Sequence, residues 1–188
     1  MAALWTSFLV VLLAEMGDKT QLIALALAAR FRRPWTIMLG ILLATLANHA
    51  LAASVGVWLS RALPPAAVAW ALAVSFVAFG IWTLVPDRAR EPGRRARWGA
   101  LLTTTVVFFL AEMGDKTQLA TVALGARFQS LVAVTTGTTC GMLAADGLVV
   151  FGGAHLTRLV SASSVRRIAA GLFLLLGIVA AAGALSSR

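Results

Sequence analysis

The chain has 188 residues, 60% of them hydrophobic and 12% charged, with a mean hydropathy of +0.91 and a formal net charge of +9. That composition excludes a soluble globular domain and indicates a polytopic membrane protein. It also excludes a nucleic-acid partner, because the arginines fall in short gaps between apolar runs and do not line one soluble face.

A membrane-spanning helix needs about 20 predominantly apolar residues. Six stretches reach that length, at residues 4–28, 36–60, 66–85, 99–123, 130–156 and 168–185. The first has no basic segment before it and runs directly into a charged motif, so no cleaved signal peptide is expected. Pro34 and the pair Pro64-Pro65 fall in the first two gaps, where proline interrupts no helical hydrogen bond. The third stretch ends in the polar segment "PDRAREPGRR" at residues 86–95, which reads as a linker. Trp5, Trp35, Trp58, Trp82 and Trp98 lie near span ends and read as interfacial anchors. On the fifth stretch, Gly137 and Gly141 form a G-x-x-x-G suited to close helix packing, and His155 falls near its end, at the interface. Cys140 is the only cysteine, so no disulfide framework or thiolate metal site is available.

Displacing the sequence by 97 residues aligns it with itself, with 31 of 91 pairs identical and no gap. The decapeptide LAEMGDKTQL at residues 13–22 returns at residues 110–119, Ala29 to Phe31 meets Ala126 to Phe128, Arg61 meets Arg158, and Gly80-Ile81 meets Gly177-Ile178. The chain is an internal duplication. Three spans per copy force the second copy to enter the membrane from the opposite side. The expected fold is therefore all-α: six transmembrane helices as two inverted three-helix repeats, residues 1–86 and 99–188, joined by a basic linker at residues 87–98. Eleven arginines fall on the linker side and three, Arg61, Arg127 and Arg188, on the other. The positive-inside rule then places the linker in the cytoplasm and both termini outside.

Of seven acidic residues in the chain, Glu15, Asp18, Glu112, Asp115 and Asp146 lie within apolar stretches. A charge at the centre of a membrane helix costs roughly 2.5–3.5 kcal/mol on insertion scales, so a compensating function is expected. On a continuous helix, Glu15 and Asp18 share a face, as do Glu112 and Asp115, and Gln21 and Gln118 continue it by a turn. Gly17 and Gly114 permit either close helix approach or a local opening of the backbone. Inverted symmetry brings the two motifs together at mid-membrane, where four carboxylates meet oxygens of Thr20, Thr117, Gln21 and Gln118. Such a hard, oxygen-rich set suits Ca²⁺, Mg²⁺ or Mn²⁺. Four carboxylates less Lys19 and Lys116 leave a net charge of −2, which one divalent cation or two protons neutralise. A site that carries either, exposed to each side in turn, is an exchanger.

The lysines are expected to restrain or release the carboxylates. The bland alternative is two structural ion pairs, each Glu with the Lys four residues on. His49 occupies the position equivalent to Asp146, with Asn48 beside it, and the three read as proton relay or modulating residues, or as interhelical hydrogen bonding alone. No nucleophile and base, phosphate loop or zinc spacing appears, so no enzyme and no bound cofactor is expected.

The segments Glu15 to Thr20 and Glu112 to Thr117 resemble the Gdt-type calcium/manganese cation/proton exchangers, whose signature is E-x-G-D-[KR]-[TS] in each of two inverted repeats. Both copies match it without departure, and the resemblance covers essentially the whole chain. It implies transport of Mn²⁺ or Ca²⁺ against protons, with the motif acids as cation ligands. The short termini and compact linker look like bacterial members, which implies manganese efflux across the plasma membrane. The expected partners are the divalent ion and the lipid bilayer, and a homo-oligomer is compatible with this reading. A different class, an exporter of amino acids or other small organic solutes, shares the size and layout, but four acids suit such a substrate poorly. A third reading is a noncatalytic assembly partner whose acids pair with lysines of another subunit.

Overall fold

The computed structural model describes residues 1–85, 98–159 and 162–186. Among these it forms eight α-helices and no strand: α1 (Ala2–Glu15), α2 (Lys19–Phe31), α3 (Pro34–Ala62), α4 (Pro65–Thr83), α5 (Ala100–Glu112), α6 (Lys116–Phe128), α7 (Leu131–Leu159) and α8 (Ala162–Ser186). The expected linker lies almost wholly outside the described residues, as does the side chain of His155. The all-α expectation holds, and α3, α4, α7 and α8 are long and apolar enough to cross a membrane.

The first and fourth expected spans differ from the sequence reading, because neither is one continuous helix. Each breaks in two at its motif. α1 has 14 residues and so covers about 21 Å, short of the about 30 Å hydrocarbon layer. Met16 is extended, Gly17 takes φ of +81°, and Asp18 is extended again before α2 begins. The second motif repeats this at Met113, Gly114 (φ +78°) and Asp115. A positive φ is open to glycine and strained for other residues, so of the two roles the sequence allows Gly17 and Gly114, the structure uses the opening of the backbone. The half-helices after the breaks also end alike, on left-handed Arg32 and Gln129, again 97 positions apart.

α3 and α4 start on Pro34 and Pro65, where a missing N–H costs no hydrogen bond. The packing then reuses equivalent contacts. Gly80 of α4 lies where a Cβ would stand 3.2 Å from the Ala170 carbonyl of α8, and Gly177 of α8 lies where one would stand 3.2 Å from the Ala73 carbonyl of α4. Beside them the equivalent rings Phe76 and Phe173 stack, centroids 6.4 Å apart and planes at 28°. Gly137 and Gly141 admit the α1 backbone against α7, at Leu4 and Phe8, as expected of that spacing. Gly40 likewise admits α5 against α3, at Leu101 and Thr104.

The halves are not identical. α6 packs closely on α3, with Gly125 against Ala53 and Gly56 against the Val122 carbonyl. The equivalent place on α7 is Gly153, which has φ of +63°, kinks the helix, and has no atom within 4 Å of where a Cβ would lie. α4 also packs on α6, while α8 packs on α1.

Candidate functional site

Each motif acid takes its place from the helix break. Glu15 is the last residue of α1 and Asp18 the N-cap of α2, so the two do not share a face of one helix as a continuous span would require. Glu112 and Asp115 stand in the same relation to α5 and α6. The break leaves backbone groups to be satisfied inside an apolar bundle. Gln21 does part of this, its Oε1 accepting from the Gly17 N–H at 2.9 Å while its Nε2 donates to the Ala145 carbonyl of α7 at 2.8 Å. Gln118 Oε1 accepts from the Gly114 N–H at 2.7 Å. Thr20 donates to Glu15 Oε2 at 2.6 Å and Thr117 to Glu112 Oε2 at 2.7 Å.

The lysines do not pair with the glutamates four residues earlier. They cross to the other motif, Lys19 Nζ lying 3.1 Å from Asp115 Oδ2 and Lys116 Nζ 2.5 Å from Asp18 Oδ1. The break removes the helical turn that the local pairing needs. Lys116 is almost wholly buried, at 2% side-chain exposure, whereas Lys19 retains 23%.

Four acids from the two motifs and Asp146 are therefore neighbours. Glu15 lies within electrostatic reach of Glu112, Asp18 and Asp115, and Glu112 within reach of Asp115, Asp18 and Asp146. All five are buried. Glu15 and Glu112 each keep one carboxylate oxygen, Oε1, without a hydrogen-bond partner. The aspartates are drawn onto the lysines, and among the described residues no three His, Cys, Asp or Glu side chains converge closely enough to hold a metal ion. The four carboxylates expected about one point are thus neighbours, with Lys19 and Lys116 standing against the two aspartates.

On the long helices, Asn48 Nδ2 donates to the Phe109 carbonyl of α5 at 3.0 Å, which is the interhelical bond allowed for it. His49 is buried with neither ring nitrogen partnered. Asp146 is buried with both carboxylate oxygens unpartnered, and the charges of Glu15 and Asp18 act on it. The carbonyls of Ala145 and Phe109 are partners that sequence gives no sign of, since only the fold decides which backbone group faces Gln21 or Asn48. The buried, unpartnered hydroxyls of Thr45 and Thr139 were likewise hidden, as threonine is common in apolar helices.

The model of the family described as "Divalent cation/proton antiporter GDT1" matches twice, at residues 3–91 and 100–188. The chain belongs to the GDT1 family. It is thus a multi-pass membrane protein of a family of transporters, not of enzymes. A Vibrio cholerae protein named "Putative manganese exporter" is 43% identical over 96% of this chain and 91% of its own length. The "GDT1-like protein sll0615" of Synechocystis is 27% identical over 95% of this chain and 96% of its own length. The "GDT1-like protein 2, chloroplastic" of rice is 30% identical over 92% of this chain and 58% of its own length. No solved structure matches the chain significantly.

Proposed function

We propose that this GDT1-family protein exports Mn²⁺ from the cytoplasm in exchange for protons, through one site built from both motifs. The observation that carries this reading is the reciprocal pairing of the two motifs: each lysine reaches the other repeat's buried aspartate, so the acids of both halves form one electrostatic unit. Membership in a family of divalent cation/proton antiporters supports the reaction class, and the similarity to the Vibrio protein supports manganese.

The cation is held by Glu15, Asp18, Glu112 and Asp115. Thr20 and Thr117 orient the glutamates, and Gln21 and Gln118 hold the breaks open. A hard divalent ion suits carboxylate oxygen. Two positive charges from the ion offset the net −2 of four carboxylates and two lysines, as two protons would; the lysines give up the aspartates when the ion enters and take them back when it leaves. His49, Asn48 and Asp146 modulate this centre, Asp146 within electrostatic reach of Glu15, Asp18 and Glu112. In the membrane, α1 with α2 and α5 with α6 each make one broken span. With α3, α4, α7 and α8 this gives six spans in two inverted repeats, residues 1–86 and 99–188, with the linker at residues 87–98 cytoplasmic and both termini outside. Discontinuous helices at mid-membrane are where transporters of this plan place their ions.

The test is purified protein in liposomes with a trapped pH dye, given Mn²⁺, Ca²⁺ or Mg²⁺. Proton movement on addition of Mn²⁺, abolished by Asp18→Asn and by Asp115→Asn, is the expected result. Manganese entry without proton movement would replace exchange by uniport. No cation flux from folded protein would sink the reading.

A further inference from the structure

The motif acids are not the residues with the most carboxylate left to offer. Asp18 and Asp115 are held by lysines, and Glu15 and Glu112 each have one oxygen bound by a threonine. Among the five buried acids, Asp146 alone has neither a hydrogen bond nor an ion pair at either oxygen. It is fully buried on α7, where the charges of two first-motif acids, Glu15 and Asp18, act on it and its own acts on Glu112 of the second. Its segment of α7 is fastened to that motif, because Gln21 spans from the Gly17 N–H to the carbonyl of Ala145, one residue before Asp146. A buried carboxylate with no donor to either oxygen is costly unless a cation or proton reaches it. The equivalent position in the first repeat is His49, so this acid is present once, although the motif is present twice.

We propose that Asp146 is a direct ligand of the transported cation. It acts with Glu15, and because only the second repeat supplies it, the ion binds off the centre between the motifs, toward the first. The inference rests on the cation site proposed above. Glu15 Oε1 and the two Asp146 oxygens provide three buried acceptors that neither lysine occupies. A divalent ion can engage these first, before either ion pair opens.

The experiment is Mn²⁺ binding to the full-length protein in detergent, by calorimetry and by electron paramagnetic resonance of the bound ion. Asp146→Asn is expected to bind Mn²⁺ at least about tenfold more weakly, each decade being about 1.4 kcal/mol, and Asp146→Glu to retain most of the affinity. A gain of function guards against an asparagine variant that fails to fold. In a Cys140→Ser background, Asp146→Cys is expected to bind Cd²⁺ with a new cadmium–thiolate absorption band. Affinity for Mn²⁺ unchanged in Asp146→Asn, or Cd²⁺ bound to Asp146→Cys without that band, overturns the assignment. If Asp18→Asn weakens binding and Asp146→Asn does not, only this inference falls. If the wild type binds no Mn²⁺, the parent reading falls with it.

Discussion

Lys116 Nζ lies 2.5 Å from Asp18 Oδ1 although 98 positions separate the residues, and Lys19 with Asp115 repeats the contact at 3.1 Å. Each lysine ties its own motif to the other repeat, so the stability of the centre is shared between the halves. Breaking a buried pair by removing one partner costs about 3–5 kcal/mol, because a charge is left unpaired. Lys116→Met is therefore expected to destabilise the protein by that order, and Lys19→Met by less, since its side chain remains partly exposed. Adding Asp18→Asn to Lys116→Met should recover most of the loss. Thermal unfolding in detergent of the two single variants and the double variant checks this; equal loss in Lys19→Met and Lys116→Met would contradict it.

The break at Gly114 is a matter of backbone, not of space. A Cβ there would meet nothing within 4 Å, yet φ is +78°. Gly114→Ala is expected to cost about 1–2 kcal/mol and Gly114→Asn less, since asparagine tolerates left-handed conformations. An alanine variant as stable as wild type would mean that the half-helices can join into a continuous helix.

Gln21 and Gln118 hold equivalent places but do different amounts of holding. Gln21→Ala leaves the part-buried Gly17 N–H without its acceptor, at about 1–3 kcal/mol, and unfastens α2 from the Ala145 carbonyl, which keeps its bond within α7. Gln118→Ala orphans the Gly114 N–H, which is exposed, so its effect is expected to be smaller. Hydrogen exchange at the start of α2 and of α6 distinguishes the two; faster exchange in α6 for Gln118→Ala than in α2 for Gln21→Ala would reverse the order.

The contact of α3 with α6 should be intolerant of bulk. A Cβ on Gly125 would lie 2.7 Å from the Ala53 carbonyl oxygen and 3.0 Å from its Cα, atoms of the backbone that cannot turn aside. Gly125→Ala is expected to cost about 1–3 kcal/mol and to raise hydrogen exchange in both helices. A variant with wild-type melting temperature would show that α6 moves away from α3 freely.

Much of the plan was legible because duplication writes it twice. The spacing of Gly137 and Gly141 foretold close helix packing there, the repeat at 97 positions aligned Gly80 with Gly177, which make equivalent contacts, and hydropathy located α3, α4, α7 and α8. The break at each motif was legible only as one of two roles open to Gly17 and Gly114, and the sequence did not choose between them. Glu15 to Asp18 continues the apolar register of α1, and a glycine in a membrane helix more often marks packing than an interruption. The lysine pairing was hidden for the same reason: Glu15 and Lys19 stand at helical spacing, and only the extended Met16 and Asp18 carry them apart. Asp146 was visible as an acid in an apolar run. Its freedom from partners depends on what surrounds α7, which no single segment specifies.

Lysine from one half meeting aspartate from the other, in both directions, has the form of an isologous interface, where residue i touches j and j touches i. Two separate copies of a half-length chain could satisfy that exchange as a homodimer. What such a dimer could never do is hold histidine on one side and aspartate on the other, since one gene would write both. Joining the halves in a single chain is what permits His49 and Asp146 to differ, and with them the two sides of the centre.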